Sequence, residues 1–122
     1  MNNWLHYEPC AEGDACVIDE RDMRHCPYEI GSVTTGRQRV FHSYYIKVTL
    51  PGEEVSGHDL HSMHAALLDL DHQLRARKLI LVAAGVEPSF SESGLSFNSG
   101  FGYLPYCNQA VHIMDMPPLP ER

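Results

Sequence analysis

The 122-residue chain carries a net charge of −7, with 43% hydrophobic and 20% charged residues. This composition is typical of a globular domain that buries its own core, and it excludes a disordered chain. No apolar run approaches the roughly 20 residues that span a bilayer, and the N-terminus lacks the basic start and apolar core of a secretion signal. We therefore expect one domain over residues 1–122, located in the cytoplasm and without a membrane partner.

Residues 1–27 show no clean period and contain Pro9 and Gly13, so they predict an irregular, acidic N-terminal segment with a short strand near residues 15–19. Acidic residues are concentrated here. Residues 1–36 hold seven of them against two arginines, which accounts for −5 of the total charge of −7. Such a field repels nucleic acid and attracts basic partners.

Residues 28–50 predict a β-hairpin, because "YEIGSV" and "RQRVFHSYYIKVTL" flank "TTG", where Gly36 suits a positive φ. The second strand alternates, and the face assigned to the core carries Val40, His42, Tyr44, Ile46, Val48 and Leu50. His42 is therefore expected to be a hydrogen-bonded core histidine. A catalytic base is the alternative.

A long amphipathic helix is predicted over residues 57–77. Ser56 is its expected N-cap with Asp59 making a box-like return bond, and Val55 and Leu60 stand at the positions of a hydrophobic staple. The apolar stripe consists of Leu60, Met63, Ala66, Leu67, Leu70 and Leu74.

The C-terminal half predicts a buried central strand over residues 79–86, a Ser/Gly loop over residues 87–100 and further strands over residues 101–115. Strands, one helix and then strands indicate an α+β fold. We expect a mainly antiparallel sheet with one long amphipathic helix packed on one face.

The histidines and cysteines do not predict a metal site. His58, His61 and His64 are three residues apart rather than four, so they do not project together from a helix, and His72 lies further along. We interpret them as a solvated or partner-facing helix side. Cys10, Cys16, Cys26 and Cys107 lack a C-x2-C pair and are expected to be free thiols, with zinc held together with His6 and His25 as the alternative. We predict no metal and no cofactor.

An aromatic segment, "SGFGYLPY" over residues 99–106, resembles the strand signature of RNA-recognition motifs, in which exposed rings stack on bases. The matching residues are Gly100, Phe101, Gly102, Tyr103, Leu104 and Tyr106. The resemblance implies an RNA-binding module. The charge of −7 opposes this function because phosphate contacts supply much of the affinity. The alternatives are a core strand and a protein-binding loop, and we expect no nucleic-acid partner.

No phosphate loop, G-x-G-x-x-G, G-x-S-x-G or H-E-x-x-H occurs, so we predict that the protein is not an enzyme. In size, acidity and lack of motifs, the chain resembles small acidic bacterial toxin-immunity proteins, including those of contact-dependent growth inhibition systems. The resemblance implies an inhibitor that binds a cognate toxin domain, often a basic nuclease, and occludes its active site.

The predicted partner surface combines acidic residues with aromatic anchors and the histidine side of the helix. Its residues are Asp19, Glu20, Asp22, Glu92, Phe97, Phe101, Tyr103, His61 and His72. The alternative function is a small-ligand-binding protein or enzyme, with a pocket between helix and sheet lined by His42, Tyr44 and a cysteine.

Overall fold

Five antiparallel strands form the main sheet, in the order β4-β3-β2-β1-β5. The structure is a computed structural model, and it describes residues 5–92, 101–104 and 111–115. The strands of this sheet are β1 (Leu5–Ile18), β2 (Met23–Thr35), β3 (Val40–Leu50), β4 (Glu53–Asp59) and β5 (Ile80–Val82).

A helix, α1 (Met63–Arg75), connects β4 to β5, and a single 3-10 turn spans Ala84–Val86. A second sheet in the order β6-β7-β8 contains β6 (Ser91–Glu92), β7 (Phe101–Tyr103) and β8 (Val111–His112). The prediction of a mainly antiparallel α+β fold is confirmed. Among the described residues, no helix combines the length and the apolar character that crossing a bilayer requires.

The prediction that residues 1–27 are irregular is wrong for the described part, because β1 and the start of β2 are paired strands. Pro9 lies opposite Gly31 of β2, and in the described part of the chain no strand pairs with the other edge of β1 beside it, an edge position at which proline is tolerated. A register shift between Pro9 and Ala11 marks a β-bulge at Cys10. Pattern reading failed because proline and the bulge hide the period of two.

The predicted hairpin is formed by β2 and β3, which pair from Tyr28 to Thr35. Gly36 has the expected positive φ of 76°. Ile46 and Val48 are fully buried, as the alternation predicts.

A second bulge reverses the alternation in the first half of β3. Val33 pairs with Ser43 and Thr34 pairs with Phe41, so His42 is the extra residue. The prediction that His42 faces the core is wrong, because His42 is exposed and Ser43 is buried instead. An inserted residue moves the side chains on one side of it to the other face, which a regular pattern does not anticipate.

The helix begins at Met63 rather than at residue 57. Its N-cap is Ser62, whose Oγ accepts the Ala65 N–H at 2.9 Å. Asp59 Oδ2 accepts the N–H groups of His61 at 2.7 Å and of Ser62 at 3.0 Å in the preceding loop. These bonds satisfy backbone donors that would otherwise be exposed at the helix start.

The predicted cap at Ser56 and the predicted staple are therefore wrong, and the helix of 13 residues is shorter than residues 57–77. Val55 is a core residue of β4, whereas Leu60 is exposed. Pairing with β3 has overridden the local helix signal. The rest of the apolar stripe is buried as predicted: Met63, Ala66, Leu67, Leu70 and Leu74.

α1 packs directly against β4 at Gly57. A Cβ atom on Gly57 would lie 2.2 Å from the Ala66 carbonyl oxygen and 2.3 Å from the Leu70 nitrogen. Only glycine permits this contact between a strand and a helix backbone. Gly57 is thus a packing residue, not the first residue of the helix.

The central strand predicted over residues 79–86 is also wrong. β5 contains only three residues and lies at the end of the sheet, where β1 is its one partner among the described strands. Leu81 is buried, but Ile80 is exposed. Both an edge strand and a central one accept a short apolar run, so composition does not separate them.

Strand register assigns each side chain to one of two faces, because directly opposed residues share a face. Ile30, Ile46 and Gly57 lie on the face that α1 contacts. We call the opposite face the outer face. The main sheet is curled into a half-barrel.

Candidate functional site

Four carboxylates form an acidic band across the outer face. Glu12 on β1 pairs with Glu29 on β2, which pairs with Lys47 on β3. Asp14 follows Glu12 by two residues and shares its face. Lys47 Nζ lies 3.9 Å from Glu29 and 3.4 Å from Glu54. One lysine therefore stands among four acids, and the band (Glu12, Asp14, Glu29, Glu54) is net negative.

An apolar row of three side chains lies on the same face. Ile18 on β1 is directly opposite both Met23 on β2 and Ile80 on β5. Met23 is 56% exposed and Ile80 is 47% exposed. Ile18 lies four residues beyond Asp14 on one strand, or about 13 Å. The acidic band and the apolar row (Ile18, Met23, Ile80) are therefore neighbours on one surface.

The predicted acidic residues Asp19, Glu20 and Asp22 lie together in the β1–β2 turn. Asp19 Oδ1 accepts the N–H groups of Arg21 and Asp22, each at 2.8 Å, and Oδ2 lies 3.2 Å from Arg24 Nη2. The N–H of Arg21, then that of Asp22 and the Arg24 charge, lower the pKa of Asp19. Asp19 therefore organises the turn.

Basic side chains screen this turn. Arg77 and Lys78, at the end of α1, line a groove of about 530 Å³ together with the turn residues. Arg77 Nε also lies 3.1 Å from Glu53 Oε1. The turn is thus less acidic than its sequence suggests, and its contact with a partner stays a prediction.

The predicted histidines are spread over the molecule rather than along one helix side. His58 belongs to β4, His61 to the loop before α1 and His72 to the last turn of α1. His61 and His72 are exposed, at opposite ends of the helix. His64 Nε2 lies 2.8 Å from the Gly85 carbonyl oxygen and so ties α1 to the 3-10 turn. These positions rule out the common helical face that the spacing suggested.

The predicted aromatic contacts lie on or near the small sheet. Glu92 belongs to β6 and Phe101 and Tyr103 to β7, whereas Phe97 lies outside the described residues. β7 is thus a strand of the small sheet and not of the main sheet. Gly102 packs against Phe90, because a Cβ there would lie 2.4 Å from the Phe90 ring.

Tyr45 forms a buried polar centre beneath the outer face. Its ring is fully buried, and its hydroxyl donates to Glu29 Oε2 at 2.5 Å. Burial, followed by the bond to Glu29, raises the pKa of Tyr45 well above its usual value. The Tyr7 and Tyr45 rings meet edge-on with their centroids 4.9 Å apart, and the centroid of the His58 ring lies 6.3 Å from that of Tyr7. This aromatic cluster links β1 to β3 and β4.

A pocket of about 370 Å³ opens on the outer face, where β1 begins and β4 ends. Its rim carries three large side chains, Leu5, Tyr7 and Leu60, which are 50%, 53% and 57% exposed. Buried Val33 and Ser43 also line it. An apolar cavity of this size matches the lower end of the range for small-molecule sites.

Three polar side chains complete this pocket: His42, His58 and Asp59. His42 Nδ1 lies 2.9 Å from Ser43 Oγ. Because the bulge turns His42 to the outer face while Tyr44 remains half-buried on the α1 side, the predicted helix–sheet pocket with both residues is wrong. Tyr44 and Cys10 line a separate cavity of about 190 Å³ beside Met63.

The cysteines differ in burial. Cys16 and Cys26 are buried on opposite faces of the main sheet, Cys10 is exposed, and Cys107 lies outside the described residues. Desolvation raises the pKa of the Cys10 and Cys26 thiols, the opposite of what a nucleophilic thiolate requires. In the part of the chain that the structure describes, no three metal-ligating side chains converge.

Sequence reasoning missed the acidic band, the apolar row and the outer-face pocket. One signal was available: Glu12, Asp14 and Ile18 stand at even spacing, as residues on one strand face do. Because residues 1–27 were predicted to be irregular, this strand face was not recognised. The chain matches no protein-family model, no curated protein and no solved structure.

Proposed function

We propose that this protein is a bacterial inhibitor of the toxin-immunity type, which binds a basic toxin domain in the cytoplasm and occludes its active site. The observation that carries the proposal is the apolar row (Ile18, Met23, Ile80), in which Met23 and Ile80 are exposed, on the same face as the acidic band. Apolar anchors and acidic side chains on one surface fit tight binding to a basic partner.

The apolar row supplies affinity. Met23 and Ile80 are half exposed on the two strands that flank Ile18 on β1, so a partner that covers them removes contiguous apolar surface from water. The outer edge of β5 has no strand partner among the described residues, which leaves its backbone groups open to a partner strand.

The acidic band supplies steering and selects the partner's charge. Glu12 and Asp14 are exposed on β1, and Lys47 compensates only part of the band. A nuclease cleft is positive because it holds a polyphosphate, so an acidic surface is its complement. Charge complementarity raises association rates and excludes acidic partners.

The test first asks whether a gene beside that of this protein encodes a basic nuclease-like domain. An inactive form of that domain is then used to measure association and dissociation by surface plasmon resonance. We expect Met23→Ser to weaken Kd at least about tenfold, mainly through faster dissociation. Glu12→Lys combined with Asp14→Lys should slow association about tenfold and flatten its dependence on salt.

The matched control is Leu68→Ser on α1, because Leu68 is exposed to a similar degree away from the outer face and should leave Kd unchanged. Glu20→Lys tests the β1–β2 turn and should have a smaller effect than the double reversal in the band. No complex, together with no protection of cells that produce the toxin, would overturn the function. A Met23→Ser variant that binds with the Kd of the wild type would rule out the apolar row as the contact surface.

A further inference from the structure

We infer that the outer-face pocket lined by Leu5, Tyr7 and Leu60 is a binding site for a small aromatic amine of one or two rings. This site is separate from the apolar row of the proposed function and does not depend on it. Three properties of the pocket support this inference: its shape, its preformed walls and its charge.

The shape comes from apolar side chains that the fold leaves uncovered. Leu5, Tyr7 and Leu60 are each about half exposed around one cavity of about 370 Å³, and buried Val33 lies among them. These three residues come from the start of β1 and from the loop after β4, so the apolar surroundings are assembled by the fold. A planar ring placed there would remove all three from water at once.

The walls are preformed. Tyr7 contacts Tyr45 edge-on at 4.9 Å, and Tyr45 is held by its bond to Glu29 and by complete burial. The His58 ring lies beside both tyrosines, with its centroid 6.3 Å from that of Tyr7 and 6.4 Å from that of Tyr45. A ring that enters the pocket therefore meets fixed aromatic surfaces, which lowers the entropy lost on binding.

The charge selects an amine. Among the described residues that line the pocket, Asp59 alone carries a carboxylate, and its Oδ2 is anchored by the N–H groups of His61 and Ser62, so its position is fixed. The described lining of the pocket offers this one carboxylate and no lysine or arginine. An ammonium group gains from Asp59 and from the Tyr7 ring face, whereas a carboxylate is repelled. His42, fixed through Ser43, adds one polar edge for the ring nitrogen of a heterocycle.

The test compares three probes of the same ring at pH 8 by calorimetry and by amide chemical shifts: tryptamine, indole and indole-3-propionate. We expect tryptamine to bind at least about tenfold more tightly than indole-3-propionate and more tightly than indole. Shifts should concentrate at Tyr7, His42 and His58. Asp59→Asn keeps the oxygen that accepts the two N–H groups and should bring the three affinities together.

Leu60→Ser should weaken tryptamine at an exposed position that does not endanger folding, whereas Met23→Ser should leave tryptamine binding unchanged and affect only the protein partner. Three results would overturn the inference: no tryptamine binding at about 10 mM, equal binding of the amine and the acid, or an unchanged preference in Asp59→Asn. If no complex with the toxin domain forms, each of these three measurements can still be made.

Discussion

The two faces of the main sheet differ in how regularly their side chains are arranged. On the α1 side, Ile46, Val48 and the helix leucines form a regular aliphatic layer, and α1 touches the β4 backbone at Gly57. On the outer face, two bulges, a buried tyrosine and exposed apolar side chains replace that regularity. The α1 side forms the hydrophobic core, whereas the outer face leaves Met23 and Ile80 about half exposed. Substitutions on each face should therefore differ in kind as well as in size.

The largest loss of stability is expected for Gly57→Ala. Its Cβ would overlap backbone atoms of Ala66 and Leu70, which move only if the whole helix shifts, so we expect a cost of about 3 kcal/mol or more. Urea unfolding measures it. Gly13→Ala is the matched control, because its Cβ meets only the movable Tyr28 ring at 3.0 Å. Equal losses for both variants would contradict the close packing at Gly57.

Tyr45→Phe should cost about 1.5–2 kcal/mol near neutral pH, because it leaves Glu29 without its buried donor. Burial raises the pKa of Tyr45, so the stabilisation is complete below the unfolded value near 10 and is lost as the pH rises above it. The wild type should thus lose more stability than Tyr45→Phe above pH 10. Tyr7→Phe, at an exposed ring, is the control. Equal alkaline losses in wild type and Tyr45→Phe would contradict this account.

A smaller effect separates the true helix cap from the one that the sequence suggested. Ser62→Ala removes the acceptor of the Ala65 N–H and should cost about 1 kcal/mol in thermal or urea unfolding. Ser56→Ala, in β4, should stay within about 0.5 kcal/mol. The reverse order would place the helix start where the sequence pattern put it.

The smallest effect is expected for the contribution of Asp19 to stability at acidic pH. Backbone N–H groups of Arg21 and Asp22 lower the pKa of Asp19, so its contribution is present above the unfolded value near 3.9 and is lost as the pH falls through the folded value. Stability of Asp19→Asn should therefore fall less steeply below pH 4 than that of the wild type. Glu20→Gln in the same turn serves as the control. Parallel acid curves for wild type and Asp19→Asn would contradict the role of Asp19 in the turn.

The α1 face could largely be predicted from the sequence. Burial of Met63, Leu67 and Leu70 follows from helical spacing, and burial of Ile46 and Val48 follows from strand alternation. These residues pack against one another in a regular layer, so a periodic pattern reports their faces directly.

The outer face could not be predicted, because its geometry depends on bulges and on pairing between distant strands, which the spacing of apolar residues does not show. Bulges at Cys10 and His42 change which side chains share a face, and Pro9 stands inside a paired strand. The opposition of Ile80 to Ile18 joins residues distant in sequence. Asp19, Glu20 and Asp22, predicted as partner contacts, lie together in one turn, but their screening by Arg77 and Lys78 depends on where α1 ends.

The central claim is that the outer face contacts the partner through the apolar row. Cross-saturation NMR on the complex with the inactive toxin domain tests this claim directly, because it reports methyl groups that touch the partner. We predict strong transfer to the methyl groups of Met23 and Ile80 and none to Leu68 on α1. Transfer to Leu68 with none to Met23 and Ile80 would contradict the account.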